Sequence, residues 1–218
     1  CDPISAFGGI VSCNFKIKKK LALELSKLFL EVIIGINFDK DALKILKRKK
    51  NLRLIDASNF THSEILKFTS TNDNILVQSE DKKMFKRNDF KIVSKKKPSI
   101  SLFNDLIFAF NICRYVKSNA IVLASNKSTL GIGCGQTSRL DSCQIAIDKM
   151  KKFTKPSKDI VAASDAFFPF TDGIEKLVQS GVKAVIQPAG SIKDKEVIKF
   201  ANETGTILVF SKTRHFRH

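Results

Sequence analysis

Four groups of residues in this sequence have the types and spacing to bind anions or flat heterocycles. In the first, Gly131, Gly133 and Gly135 alternate with single residues, and Gln136, Thr137, Ser138 and Arg139 follow. Glycines let a ligand approach the backbone, and the first N–H groups of a helix lack intrahelical partners and sit at the positive end of its dipole. An anion is favoured there, and Arg139 can add a planar fork of donors. A tight strand-to-helix connection with a solvated arginine would show the same order, and the spacing is neither a P-loop nor a GxGxxG fingerprint. In the second group, Phe167, Phe168 and Phe170 beside Pro169 can stack on a heterocycle, and Asp172 can accept from ring N–H groups. Core phenylalanines and a capping aspartate are the alternative. Gly190 and Ser191 open a helix after a strand, either as a second anion or amide site or as a capping arrangement with Asp194. Last, Arg214, His215, Arg217 and His218 form either a cationic cluster for a phosphate or a frayed tail.

The elements that must hold these groups follow from apolar patterning. AIVLA, from Ala120, is a buried strand; a polar turn at Asn126, Lys127 and Ser128 leads to a second brief strand, TLGI. Ser138 is an N-cap, and Cys143, Ile147 and Met150 give the next helix one apolar face. After Lys158, IVAASD is a strand, GIEKLVQS a helix closed by Gly181, VKAVIQP a strand, Ser191 to Thr204 a helix closed by Gly205, and TILVFS a last strand. Alternation of this kind implies an α/β fold with a parallel or mixed sheet flanked by helices, whose ligands sit at the carboxyl ends of strands. Earlier in the chain, Asp2 to Asn14 is an extended or turn segment. Lys18 to Phe29 is an amphipathic helix, EVIIG a strand, DALKILKRKK a helix capped by Asp39, and LRLIDA a strand. Ser58 to Lys97 is polar and weakly periodic, which makes it the loosest part and a joint between two subdomains. DLIFAFNICRYV is a strongly apolar helix.

Composition bounds the rest. The 218 residues, 43% of them hydrophobic, can bury a core as one domain or two small subdomains. No apolar run is long enough for a membrane span, and no signal peptide opens the chain, so a cytoplasmic protein is expected. The chain starts at Cys1, without methionine and almost inside a motif, which suggests a fragment. Its five cysteines are odd in number and contain no CxxC pair, pointing to small buried residues or free thiols. The net charge of +17 admits a nucleic-acid-binding α/β module. The lysines, however, fall in short separated runs, KIKKK, KRKK, SKKKP and KMKKF, with no Trp and one Tyr for base stacking. Solvated faces around a site for small anions are the expectation, with no nucleic acid and no membrane as partners.

VKSNAIV followed by GIGCGQTSRLDS resembles the transformylase domain of the bifunctional purine biosynthesis family that joins AICAR transformylase to IMP cyclohydrolase. DPISAFGGIV, SDAFFPFTDGIEKLVQSGVKAVIQPAGSIKD and the terminal TRHFRH resemble it in the same order, so the likeness covers nearly the whole chain. It implies cytidine-deaminase-like subdomains, with residues 1–97 as the remainder of the first and a connecting segment, and 98–218 as the second. It implies formyl transfer from 10-formyltetrahydrofolate, the co-substrate, to AICAR at a homodimer interface. By the same resemblance Asp2, Asn119, Arg139, Phe167 and Arg214 contact AICAR, Arg214 on its phosphate. Leu140, Asp172, Ser191 and Ile192 contact the folate. Asn119, Asp172 and His218 support the chemistry.

The family's catalytic lysine–histidine pair lies in a KHxNPxG segment upstream of DPISAFGG, and these 218 residues do not contain it. Loss of a general base typically forfeits about a hundredfold to ten-thousandfold in rate, so a fragment inactive by itself, or a non-catalytic remnant, is expected. STNDNILVQ departs from the family, which carries a glycine-containing turn there. No zinc is expected, because the HxE and PCxxC signature of zinc deaminases is missing, and His62 is expected at the surface or as a cap.

Overall fold

The computed structural model describes residues 4–61, 66–154 and 158–217. Contacts divide the chain between Glu80 and Asp81 into two units, each with its own sheet.

In the first unit, β1 (Gly9–Cys13), β2 (Leu30–Gly35) and β3 (Arg53–Asp56) form a parallel sheet in that order. Side chains alternate across a strand, so the paired residues Val11, Ile33 and Leu54 share one face. That face packs with Ala22 and Leu25 of α1 (Lys19–Ser26) and Ala42 and Leu46 of α2 (Lys40–Leu46). Asp39 caps α2 as expected, its carboxylate accepting from the Ala42 N–H at 2.6 Å. The amino-terminal segment, expected as extended or turn, thus supplies a sheet strand. Its apolar run is only Ile10 and Val11 before polar Ser12, too short to mark a strand in the sequence. The polar stretch after Ser58 contains a hairpin of β4 (Leu66–Ser70) and β5 (Ile75–Ser79), closed by the Asn74 carbonyl accepting from the Thr71 N–H at 2.8 Å.

The second unit is built on a six-stranded sheet. β6 (Phe90–Ile92) is one edge; β7 (Ile121–Ser125) and β8 (Ser128–Gly133) form a hairpin at the other; β9 (Ile160–Ser164), β10 (Val182–Pro188) and β11 (Ile207–Ser211) are parallel. The order is β6-β11-β10-β9-β7-β8, with β6 antiparallel to β11 and β7 antiparallel to β9. This is the mixed α/β sheet that the alternation implies. The four inner strands, β7 and β9 to β11, read as continuous apolar runs because both faces are covered. α3 (Ile100–Cys113) covers one face, packing Leu106, Ala109 and Phe110 on Val122, Val161 and Ile186. α4 (Arg139–Phe153), α5 (Asp172–Gln179) and α6 (Asp194–Glu203) cover the other, where Ile147, Leu177 and Val197 meet Leu123, Ala162 and Val185.

The β7–β8 turn has Asn126 and Lys127 at φ +52° and +54°, the pair of left-handed residues that suits the twist of a two-residue hairpin. Their N–H groups donate to the buried carboxylate of Asp105 at 2.9 and 2.8 Å. β8 and α4 lie unusually close. A Cβ on Gly131 or Gly133 would come nearer than 3.0 Å to the backbone of Ala146 or Ser142, respectively. These glycines, expected to let a ligand reach the backbone, instead admit the helix. Only Gly135, exposed and at φ +68°, is in a conformation that glycine favours.

Among the described residues no helix is long and apolar enough to cross a membrane.

Candidate functional site

One edge of the six-stranded sheet collects the carboxyl ends of β8, β9, β10 and β11 and the start of β7, because Ile121 pairs with both Gly133 and Ser164. Every described residue that the sequence points to lies in the segments leaving this edge. Asp2 and His218 lie outside the described residues, as does His62.

Arg139 opens α4, where the Ser138 hydroxyl caps the first turn by accepting from the Leu140 N–H at 3.1 Å. Its Nε donates to Ser164 Oγ at 3.0 Å and its Nη2 to Asp165 Oδ1 at 2.8 Å. Asp165 is wholly buried. Asn119 stands across the edge, just before β7, and its Nδ2 donates to the carbonyls of Gln136 and Thr137 at 2.9 and 3.0 Å. With both amide hydrogens engaged, its Oδ1 is the group that can accept from a ligand. Ser142 Oγ donates to the Asn119 carbonyl at 2.8 Å, tying that segment to α4.

Arg214, exposed after β11, lies over the ring of half-buried Phe167 with Cζ 4.7 Å from the centroid. It passes so near Gly190 that a Cβ there would stand 3.3 Å from its Nη2, and Gly190 has φ +106°. Loops after three adjacent strands therefore meet at this guanidinium. Stacking occupies its flat face and leaves the in-plane N–H fork for an anion.

The other expected features separate. Phe168 is core, 1% exposed and packed on Gly173, whereas Phe170 is 60% exposed. The three rings do not make one stacking surface. Asp172 is exposed at the start of α5, and its Oδ1 accepts from the Gly173 N–H at 2.7 Å. The Gly190 and Ser191 N–H groups, one candidate anion site, donate to the Asp194 carboxylate at 2.8 and 3.3 Å, and Ser191 Oγ accepts from the Lys193 N–H. These N–H groups are taken up within the turn that precedes the helix; α6 starts at Asp194 rather than Ser191, and its N-cap, Lys193, makes no side-chain capping bond. Ile192 beside it is 98% exposed, and Leu140 is half-buried.

Nor do the described terminal basic residues, Arg214, His215 and Arg217, form one cluster or a frayed tail. His215 turns inward, 2% exposed, with Nδ1 2.6 Å from Asp81 Oδ2 and its ring against Phe85 and Phe110. Burial lowers its pKa below the usual 6.5, against the opposing pull of Asp81. Arg217 Nη1 donates to the Tyr115 carbonyl, and its N–H to Ser118 Oγ.

Burial raises the Cys143 thiol to about 12 and holds Cys113 well above its ordinary value, so neither is a thiolate nucleophile. Among the described residues no group of three His, Cys, Asp or Glu side chains could hold a metal. Sequence reasoning missed Asp165, Ser164 and the Asp81–His215 contact. The first two had a signal, a hydroxyl and a carboxylate at the end of a predicted strand; residues 134 apart had none.

The AICARFT/IMPCHase bienzyme family matches residues 1–149. Over 217 residues the chain is 46% identical to the bifunctional purine biosynthesis protein PurH of Aquifex aeolicus. It is 45% identical over 219 residues to the protein of that name from Persephonella marina, and 44% over 218 residues to the one from Leptospira biflexa. Each alignment takes in 100% of this chain and 42% of the relative's length.

Proposed function

The chain belongs to the AICARFT/IMPCHase bienzyme family, and from that premise we propose that it is the carboxyl-terminal part of the transformylase region, binding AICAR and 10-formyltetrahydrofolate for formyl transfer in purine synthesis. The observation that carries this reading is the convergence of Asn119, Arg139, Phe167 and Arg214 on one sheet edge, with Arg214 stacked on Phe167 beside Gly190.

In this reading the in-plane N–H groups of Arg214 take the AICAR phosphate, a geometry that favours bidentate contact. Arg139 supplies a second cation, the Asn119 Oδ1 accepts from an amide or amine of the ligand, and the free face of Phe167 lies against its ring. Leu140, Asp172, Ser191 and Ile192 receive the folate, Asp172 through its exposed carboxylate. The chain's own residues bind and orient. The proton acceptor belongs to the KHxNPxG segment, which does not occur in this sequence, with His218 in support. A homodimer of two-subdomain transformylase units working in the cytoplasm, the first subdomain together with its connecting segment running to residue 97, is part of the same proposal.

Titration of AICAR into the chain, followed by calorimetry, tests the reading. Arg214→Ala is expected to weaken binding about tenfold to a hundredfold, as for loss of a charge-assisted hydrogen bond. An unchanged dissociation constant would remove the phosphate role.

A further inference from the structure

Asp165 is 0% exposed, and the side chain of its partner Arg139 keeps only 13% of its surface. A carboxylate taken that far from water is stable when it is paired and hydrogen-bonded. The contact is directional. Ser164 donates its own proton to the Ala166 carbonyl at 2.7 Å, so its lone pairs face the Arg139 Nε–H. Ser164 and Asp165 together hold the Nε and Nη2 side of the guanidinium. An arginine has five N–H donors, and the two engaged here leave the Nη1 end directed away from the pair.

The Asp165 main chain ties in the other two segments. Its N–H donates to the Ala120 carbonyl at 3.2 Å, and its carbonyl accepts from the His215 N–H at 2.8 Å. Asn119, Arg139 and Arg214 are therefore each bonded to Asp165 directly or through a chain neighbour.

We propose that Asp165, with Ser164, is the positioning residue of this edge: it fixes the Arg139 guanidinium so that its outer N–H groups meet the substrate anion. The role of the substrate rests on the transformylase reading; the hold on Arg139 does not. Asp165 touches no reacting atom and acts through Arg139.

Two measurements on the 218-residue chain decide it. Hydrogen exchange at Arg139 Nε–H, followed by nitrogen-15 NMR, is expected to be slow in the wild type and at least about tenfold faster in Asp165→Asn and Ser164→Ala. Unchanged exchange overturns the proposal. AICAR affinity is expected to fall about tenfold in each variant, and Asp165→Asn is expected to add nothing to the loss in Arg139→Gln. Additive losses would make Asp165 a fold residue only. Should Asp165→Asn fail to fold, Ser164→Ala, which keeps the ion pair, carries both measurements. Absence of AICAR binding by the wild type defeats the transformylase reading, while the exchange data still decide whether Asp165 holds Arg139.

Discussion

His215 joins the terminal segment to the start of the second unit, and its ionisation opposes that join. The ring lies between Phe85 and Phe110, Nδ1 meets Asp81, and the charged groups that bear on it are Asp81, Arg114 and Asp165. Burial is the strongest of these influences and lowers the native pKa below 6.5. The unfolded chain therefore binds more protons as pH falls through that range, and stability must fall with it. The full contribution is present above about pH 6.5, is lost between there and the lowered native value, and changes by at most about 1.4 kcal/mol per pH unit. Urea unfolding of the wild type and His215→Gln across pH 5 to 8 checks this. The difference in stability is expected to shrink as pH falls, and a difference independent of pH would refute it. Nothing in TRHFRH announces this role: the residues are cationic by type, and only the fold shows that Arg214 faces out while its neighbour faces in.

Between β8 and α4 the backbone itself is the packing surface. Gly131 and Gly133 share a strand face, and a methyl group on either would run into main-chain atoms of Ala146 or Ser142, which have no flexible side chain to move aside. Gly133→Ala should destabilise the second unit by about 3 kcal/mol, at the upper end of overpacking costs. The same change at exposed Gly135 meets nothing closer than the Lys117 Cδ at 3.8 Å and costs only the strain of its positive φ, about 1 kcal/mol. Thermal unfolding of both variants checks the order, and a larger loss at Gly135 would contradict it. Much of this arrangement is legible in the sequence, because AIVLA, TLGI and the Ser138 cap mark strand, strand and helix start. What comes close to the glycines is not, since a strand's periodicity does not say whether a helix or a ligand covers it. β1 and β4 were hidden for a related reason: their mixed polar and apolar residues lack the continuous apolar run that gives away β7, β9 and β11, while the three apolar residues of β5 are set in a polar stretch. Asp165 stayed unread among phenylalanines because its importance lies in its burial against Arg139.

At the scale of the whole chain, the two units differ in how their sheets are covered. The second has apolar layers on both faces of six strands. The first has helices on one face of three parallel strands, while Ile10 and Ile55 on the other are 67% and 47% exposed. Parallel sheets normally require cover on both faces, and small cores are marginal against chain entropy. Residues 81–218 expressed alone should therefore fold cooperatively, with the His215 amide protected by its bond to Asp165 and the ring still paired with Asp81. In the full chain, the first unit should open at lower denaturant. Amide exchange measured segment by segment in rising urea reads both expectations at once: slow, concerted exchange for β7, β9, β10 and β11, and earlier exchange for β1 to β3. A single transition shared by all these strands would mean that the smaller sheet draws its stability from the larger unit, and an 81–218 piece lacking protected amides would mean the reverse.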